Sequence, residues 1–428
     1  MAAALGVLVS CGSVKSGEEV VAASRDSKVV VAYVTSWSEV MPDPQYMTHI
    51  NYAFGHVNES FNGVKIDNEE RLRQIVDLRK QKPELKVLLS IGGWGSGRFS
   101  EMAANDEYRR AFAADCDRVV KEFALDGIDI DWEYPTSSMA NISSSPDDTE
   151  NFTLLMQDIR AAIGNEKELT LATVASARYI DFKAILPSVD FVNIMAYDMA
   201  SAPKHHSALY PSGHSGDITS DGAVTAHLKA GVPPSKLVMG MPFYGRGGDG
   251  YPSFQDYNKV GNTDTQYTEK WDEVAQVPYL ADKNDTLVFG FENPRSLAIK
   301  CQYILDKDLL GGMYWDYSGD NEQGDLRRTV AENLLGKPHK AKVLVLTERG
   351  GQHGGFTDAG LRWLAAEGVK GNFSITEINN ARNITEAYLS QFSLVIQLDF
   401  PPYTWPKEAE DAFVKYIEEG RGGWIGFH

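Results

Sequence analysis

The chain has 428 residues, 43% of them hydrophobic, and a formal net charge of −18. That length exceeds one ordinary small domain and asks for one large domain plus a smaller one, each with enough apolar content for a packed core. The acidity argues against nucleic acid and against charge-driven binding to an anionic membrane surface, and it suits a neutral polymer as partner.

The first segment, Ala2–Ser10, is small and apolar and ends Leu8-Val9-Ser10-Cys11. It resembles the leader of a bacterial lipoprotein. Cys11 would then be the acylated N-terminus and Ser16–Ser27 a polar tether. That implies a lipid-anchored protein of the bacterial cell envelope or exterior, touching membrane only through the anchor. One departure is that no Lys or Arg precedes the apolar run. The other two cysteines, Cys116 and Cys301, lack metal spacing and are expected to be inert, half-buried thiols.

From residue 28 onward, short apolar runs alternate with helix-like segments. Strands are predicted at Val29–Trp37, His49–Val57, Lys86–Trp94, Gly127–Pro135, Glu168–Ser176, Phe191–Met199, Lys236–Gly245 and Gly311–Ser318. Amphipathic helices are predicted at Glu69–Gln81, Asp106–Phe123 and Asp147–Ile163. Eight strands with crossovers are the count of a (β/α)8 TIM barrel, an α/β fold. The runs are nearly continuous in apolar character, as strands buried on both faces require. Unusual residues collect where the strands end: Trp37, Phe54, Trp94, Glu133, Tyr197, Asp198, Tyr244, Trp315 and Asp316. A barrel places its active site at that end.

The fourth strand carries Asp126-Gly-Ile-Asp129-Ile-Asp131-Trp-Glu133-Tyr-Pro135. Asp129, Asp131 and Glu133 share one parity and project from one face. Alternate residues on a strand lie roughly 7 Å apart, so the three acids cannot all ionise and at least one pKa must rise. Glu133 is the candidate acid. Asp126 has the other parity and reads as a structural hydrogen-bond acceptor or cap.

This run resembles the D-G-x-D-x-D-W-E-Y-P signature of family 18 glycoside hydrolases, the chitinases. Four further motifs match in order: Ser90-Ile-Gly-Gly93, Met195-Ala-Tyr-Asp198, Met241-Pro-Phe-Tyr244-Gly-Arg246 and Gly311-Gly-Met-Tyr-Trp315-Asp316. The resemblance covers about residues 28–337. It implies retaining hydrolysis of β-1,4 links in chitin or N-acetylglucosamine oligosaccharides, assisted by the substrate's own acetamide. In that scheme Glu133 is acid and then base, and Asp131 steadies the acetamide N–H and the oxazolinium ion. Asp129 shares a proton with Asp131, helped by Ser90, and Tyr197 donates to the acetamide oxygen. Asp198 and Arg246 bind sugar hydroxyls and the acetamide region. Tyr33, Phe54, Trp94, Met195 and Tyr244 line the cleft, and Trp315 forms its floor. No cofactor and no metal are implied, and the sequence sets no oligomeric state.

Two other readings share these acids or this barrel. An endo-β-N-acetylglucosaminidase of N-glycan cores is one, with Trp132 and the Glu-Tyr-Pro ending favouring the chitinase side. A non-catalytic chitin-binding lectin is the other, and the presence of Glu133 speaks against it. A surface scaffold for glycan capture, with the second domain as binding module, is a further reading. His205, His206 and His214 are expected to be solvated loop residues. Many relatives carry an α+β insertion between the seventh and eighth strands. Here Gly247–Lys270 reads as a short loop, and Trp271 as the start of an ordinary return. An open cleft with endo cleavage is therefore expected.

After Leu335-Gly-Lys-Pro338 a second α/β pattern starts. Strands are predicted at Lys342–Thr347, Phe373–Glu377, Phe392–Leu398 and Gly423–Phe427, with helices at Thr357–Glu367 and Pro406–Gly420. The pattern resembles the start of a ThuA-like domain, a relative of class I glutamine amidotransferases with a doubly wound sheet. His353 and His428 would line its ligand crevice. Family domains run further, so a truncated domain is expected. The divisions are 1–27, 28–337 and 338–428.

Overall fold

The computed structural model describes residues 28–248, 251–260, 266–336, 341–347, 354–371, 373–382, 384–398 and 405–427. Cys11 and the leader, like His353 and His428, lie outside the described residues. The chain divides into two compact units between Gly336 and Lys337.

The first unit is a closed barrel of eight parallel strands. They are β1 (Val29–Thr35), β2 (His49–Val57), β3 (Lys86–Gly92), β4 (Gly127–Asp131), β5 (Glu168–Val174), β6 (Phe191–Met195), β7 (Leu237–Pro242) and β8 (Gly311–Trp315). Each pairs with its neighbour, and β1 pairs with both β2 and β8, which closes the ring. The strands are nearly all shorter than predicted, because their last polar and aromatic residues leave the ladder to form the loops of the cleft. Outside the ring a large apolar layer joins strands to helices, through residues such as Val30, Tyr52, Leu89, Ile130 and Leu171. Inside it, Val31, Tyr33, Ala53, Phe54, Phe191, Val238 and Met313 fill the centre. This double burial explains the unbroken apolar runs.

The return helices have local causes. Helix Asp106–Glu122 is capped by Asn105, which accepts from the backbone N–H of Glu107 and Tyr108. It buries Phe112, Ala113, Cys116, Val119 and Val120, a stripe at three- and four-residue spacing. Helix Pro294–Asp306 opens with a capping box between Asn293 and Ser296 and has Pro294 in its first turn. Helix Asp148–Ile163 is close to its predicted span, whereas Glu69–Val76 stops early and continues as a 3-10 turn, Asp77–Lys80. Cys116 and Cys301 are fully rather than half buried, and burial pushes both thiols up.

The region between β7 and β8 corrects the sequence reading. Instead of a short loop, the chain builds a five-stranded antiparallel sheet in the order Gln255–Asp256, Tyr244–Gly247, Leu287–Gly290, Val277–Ala281, Thr268–Asp272. Trp271 lies on its edge strand, paired with Pro278. Pro278 argues against a strand in the sequence, yet it is accommodated in this pairing. The adjoining turn is fixed by Asp282, whose Oδ1 accepts from the N–H of Asn284 and Thr286, both at 2.9 Å. Leu280, Val288, Phe289 and Phe291 form the sheet's own small core. The expectation of an open cleft rested on the short loop and falls with it.

Among its described residues the second unit holds four parallel strands, β9 (Ala341–Thr347), β10 (Phe373–Ile378), β11 (Leu394–Leu398) and β12 (Gly423–Phe427), in the order β10-β9-β11-β12. Helices Gly354–Gly371, Glu386–Leu389 and Lys407–Glu418 connect them. Residues of β9 and β11 bury alternate side chains on both faces. Leu344, Leu346 and Val395 pack one way and Val343, Val345 and Ile396 the other. Strand β12 is an edge, and Trp424, Ile425 and Phe427 on it are exposed.

Candidate active site

The acids of β4 separate by side of the barrel wall. Asp126 turns outward, where its carboxylate accepts from the Val87 N–H at 2.7 Å and pairs with Arg79. Asp129 points into the barrel and is fully buried. Its Oδ2 accepts from the hydroxyls of Tyr33 and Ser90, both at 2.8 Å. Its Oδ1 accepts from Thr170 at 2.6 Å and from Asn193 Nδ2 at 3.3 Å. These donors stand on β1, β3, β5 and β6, so the carboxylate ties four strands together. Burial raises its pKa and the four donors work against that rise.

Asp131 ends the strand. Its Oδ1 is buried without a hydrogen-bond partner. Burial first, and then the charges of Glu133 and Asp129, hold its pKa well above the carboxylate range. Glu133 lies past the strand, partly buried, with its pKa pushed up to about 7. Burial is the main cause and Asp198 adds to it, while a hydrogen bond with Tyr134 opposes them. Like-charge crowding, the cause expected from spacing, is therefore secondary to desolvation. Gly92, the last residue of β3, lets that strand lie close to β4, and Gly93 just past it leaves room for Phe54 of β2. A Cβ on Gly92 (φ +132°) would stand 1.9 Å from the Asp131 carbonyl oxygen, and one on Gly93 would stand 2.6 Å from the Phe54 ring.

Aromatic rings surround these acids. Trp315, at the end of β8, stacks on Phe54 with centroids 5.6 Å apart and planes at 20°, and meets Tyr33 at 5.6 Å. Met195 and Tyr197 pack against the same inner cluster. The Tyr197 hydroxyl is 3.9 Å from the Met313 sulfur, and the ring lies edge-on to Tyr244 at 6.1 Å. Trp94 is 61% exposed and borders Tyr134, and Trp37 is 64% exposed and borders Phe54. Arg246 grips Asp198 through two bonds of 2.6 and 2.7 Å. That contact holds the Asp198 carboxyl well below its usual value despite burial.

The site residues predicted from sequence for the barrel gather at this end of it or beneath it, while Cys11, His353 and His428 lie outside the described residues. Several contributors were missed. Thr170 and Asn193 are polar residues inside apolar strands, and that oddity is the signal that could have found them. Phe254, stacked on Tyr244 at 4.7 Å, lies just before the strand Gln255–Asp256 of the unanticipated sheet. The histidines require correction. His205 and His206 are buried, not solvated, because the new sheet covers their loop. His205 Nε2 is 3.2 Å from Asp272, and burial lowers its pKa to about 4. His214 alone of the three is exposed. Trp132 is buried between Phe99 and Phe152, so its bearing on substrate choice is not direct contact.

Residues 29–320 match the family model described as "Glycosyl hydrolases family 18". The chain belongs to glycosyl hydrolase family 18. Residues 342–428 match the model described as "Trehalose utilisation". Among curated relatives, Chitinase A1 of Niallia circulans is 30% identical over 409 residues, covering 71% of this chain and 58% of its own. Chitotriosidase-1 of Mus musculus is 31% identical over 350 residues, covering 69% and 74%. A solved family 18 N-acetylglucosaminidase from Paenibacillus barengoltzii superposes with a TM-score of 0.67 at 32% identity, covering 72% of this chain and all of that one. This family 18 barrel thus brings together a carboxyl whose pKa is pushed up to about 7, a buried acid with an oxygen that has no hydrogen-bond partner, and a cluster of aromatic rings.

Proposed function

We propose that this barrel hydrolyses β-1,4 links between N-acetylglucosamine units with retention, through an oxazolinium ion. The observation that carries the reading is Glu133 poised at about 7 beside Asp131, whose buried Oδ1 has no partner. Glu133 gives its proton to the glycosidic oxygen as that bond breaks. The acetamide oxygen attacks the anomeric carbon, helped by a hydrogen bond from Tyr197. Asp131 accepts from the acetamide N–H and spreads the developing positive charge. Water then attacks the anomeric carbon while Glu133 takes a proton from it, and the bond from that carbon to the acetamide oxygen breaks, which regenerates the acetamide. Trp315 offers a flat apolar face to the sugar ring, and Asp198, Arg246 and Trp94 bind around it. Glu133→Gln should lose at least about 10³-fold in kcat on chito-oligosaccharides while still binding them. Undiminished turnover in that variant would remove Glu133 from the role of acid.

A second reading, release of single N-acetylglucosamine units from chain ends, is supported by the likeness to the Paenibacillus N-acetylglucosaminidase. Early products separate the two, because monomer dominates only under the second. Assays on an N-glycoprotein address the glycan-core alternative. We also propose that Cys11 carries a lipid anchor, supported by Leu8-Val9-Ser10-Cys11. Fatty-acid labelling of the full chain, lost in Cys11→Ser, tests it.

A further inference from the structure

His206 has no part in the chemistry just described, yet it sits against it. Its side chain is fully buried, and neither Nδ1 nor Nε2 has a hydrogen-bond partner. Nδ1 stands 3.5 Å from Asp198 Oδ1, on the carboxylate that Arg246 holds. The imidazole lies against Tyr244 with centroids 5.4 Å apart. Backbone and neighbours fix it there. The Met199 N–H donates to the His206 carbonyl at 3.0 Å, which ties it to the turn just after Asp198. On its other side, Ser207 donates to Glu292 at 2.6 Å, and Glu292 pairs with the fully buried Lys300.

A fully buried imidazole with one nitrogen unpartnered and the other at 3.5 Å from a single carboxylate is unfavourable in a dry site. An apolar side chain of similar size would pack on Tyr244 without that penalty. Asp198 gives the imidazole a use. The other titratable neighbours of Asp198 are Arg246, Tyr244, Tyr197, Tyr134 and Glu133. Of these only Arg246 is a cation, and it is half-exposed at the cleft.

We propose that His206 is a positioning residue: its Nδ1–H serves Asp198 as a second donor beneath the Arg246 pair, and keeps the carboxylate oriented when Arg246 turns to the sugar. The effect on catalysis rests on the sugar-cleft reading above; the effect on Asp198 does not.

The test uses the full chain with His206→Leu and His206→Gln, and two readouts. Carboxyl ¹³C titration of Asp198 needs no substrate. His206→Leu should raise its pKa by roughly 0.5 pH unit or more, with His206→Gln between it and the wild type. On N-acetylglucosamine oligosaccharides, His206→Leu should raise KM about 5- to 10-fold with kcat within about 2-fold, His206→Gln should recover most of that loss, and His206→Leu should add nothing in an Asp198→Asn background. If His206→Leu does not fold, His206→Met replaces it with the same expectations. An unshifted Asp198 titration would overturn the proposal, as would equal impairment by Leu and Gln. A wild type inactive on these sugars would sink the proposed function, and the titration would still decide His206.

Discussion

A carboxyl held at about 7 links stability and activity through Glu133. Unfolded, the group has its ordinary value of 4.5, so between pH 4.5 and 7 the folded state binds the proton that the unfolded state has released. Stability therefore falls as pH rises through that window and levels off above it. The difference corresponds to about 3 kcal/mol at alkaline pH. Glu133→Gln removes this penalty, so urea unfolding at pH 8 should find the variant more stable than wild type by about 2–3 kcal/mol, with the gap closing near pH 4.5. The proton is also needed for the reaction. We expect kcat/KM to decline above a pKa near 7, and a profile flat to pH 9 would contradict the assignment. Asp129 makes a different prediction. Thr170→Val leaves its Oδ1 with only the longer Asn193 bond, and should cost about 1–3 kcal/mol by equilibrium unfolding.

At the scale of elements, the ends of strands hold the site because the ladder stops where polar and aromatic residues begin. That is why β4 could be read from parity alone: Asp126 faces out to Arg79, and Asp129 faces in to Ser90 and Tyr33. Parity could not reveal that Thr170 and Asn193 converge on the same carboxylate, because register between strands is not written in either one. Nor could it reveal the sheet between β7 and β8. Its strands are short, one contains Pro278, and its apolar residues face a small local core. Covered by that sheet, His205 and His206 are buried in a loop that reads as polar. The contact between β3 and β4 gives a sharp test. Gly92→Ala places a Cβ against the Asp131 carbonyl and should cost about 3 kcal/mol or more, with activity falling alongside stability.

For the whole molecule, the barrel carries its own closed sheet and continuous core, whereas the second unit has four strands with exposed Trp424, Ile425 and Phe427 at one edge. An edge of that kind is weakly protected. Limited proteolysis followed by mass spectrometry should therefore cut within residues 341–428 before the barrel is touched, and the trimmed protein should keep its kcat. The eight-strand count was legible because the strands, buried on both faces, are nearly continuous apolar runs. The second sheet was legible for the same reason at β9 and β11. The central claim is that the substrate's acetamide, steadied by Asp131, does the work of a nucleophile. It is tested most directly by kcat/KM for an N-acetylated chito-oligosaccharide against its fully deacetylated counterpart. The account expects the deacetylated sugar to be slower by at least about 10³-fold, on the scale of intramolecular assistance. Comparable rates would contradict it.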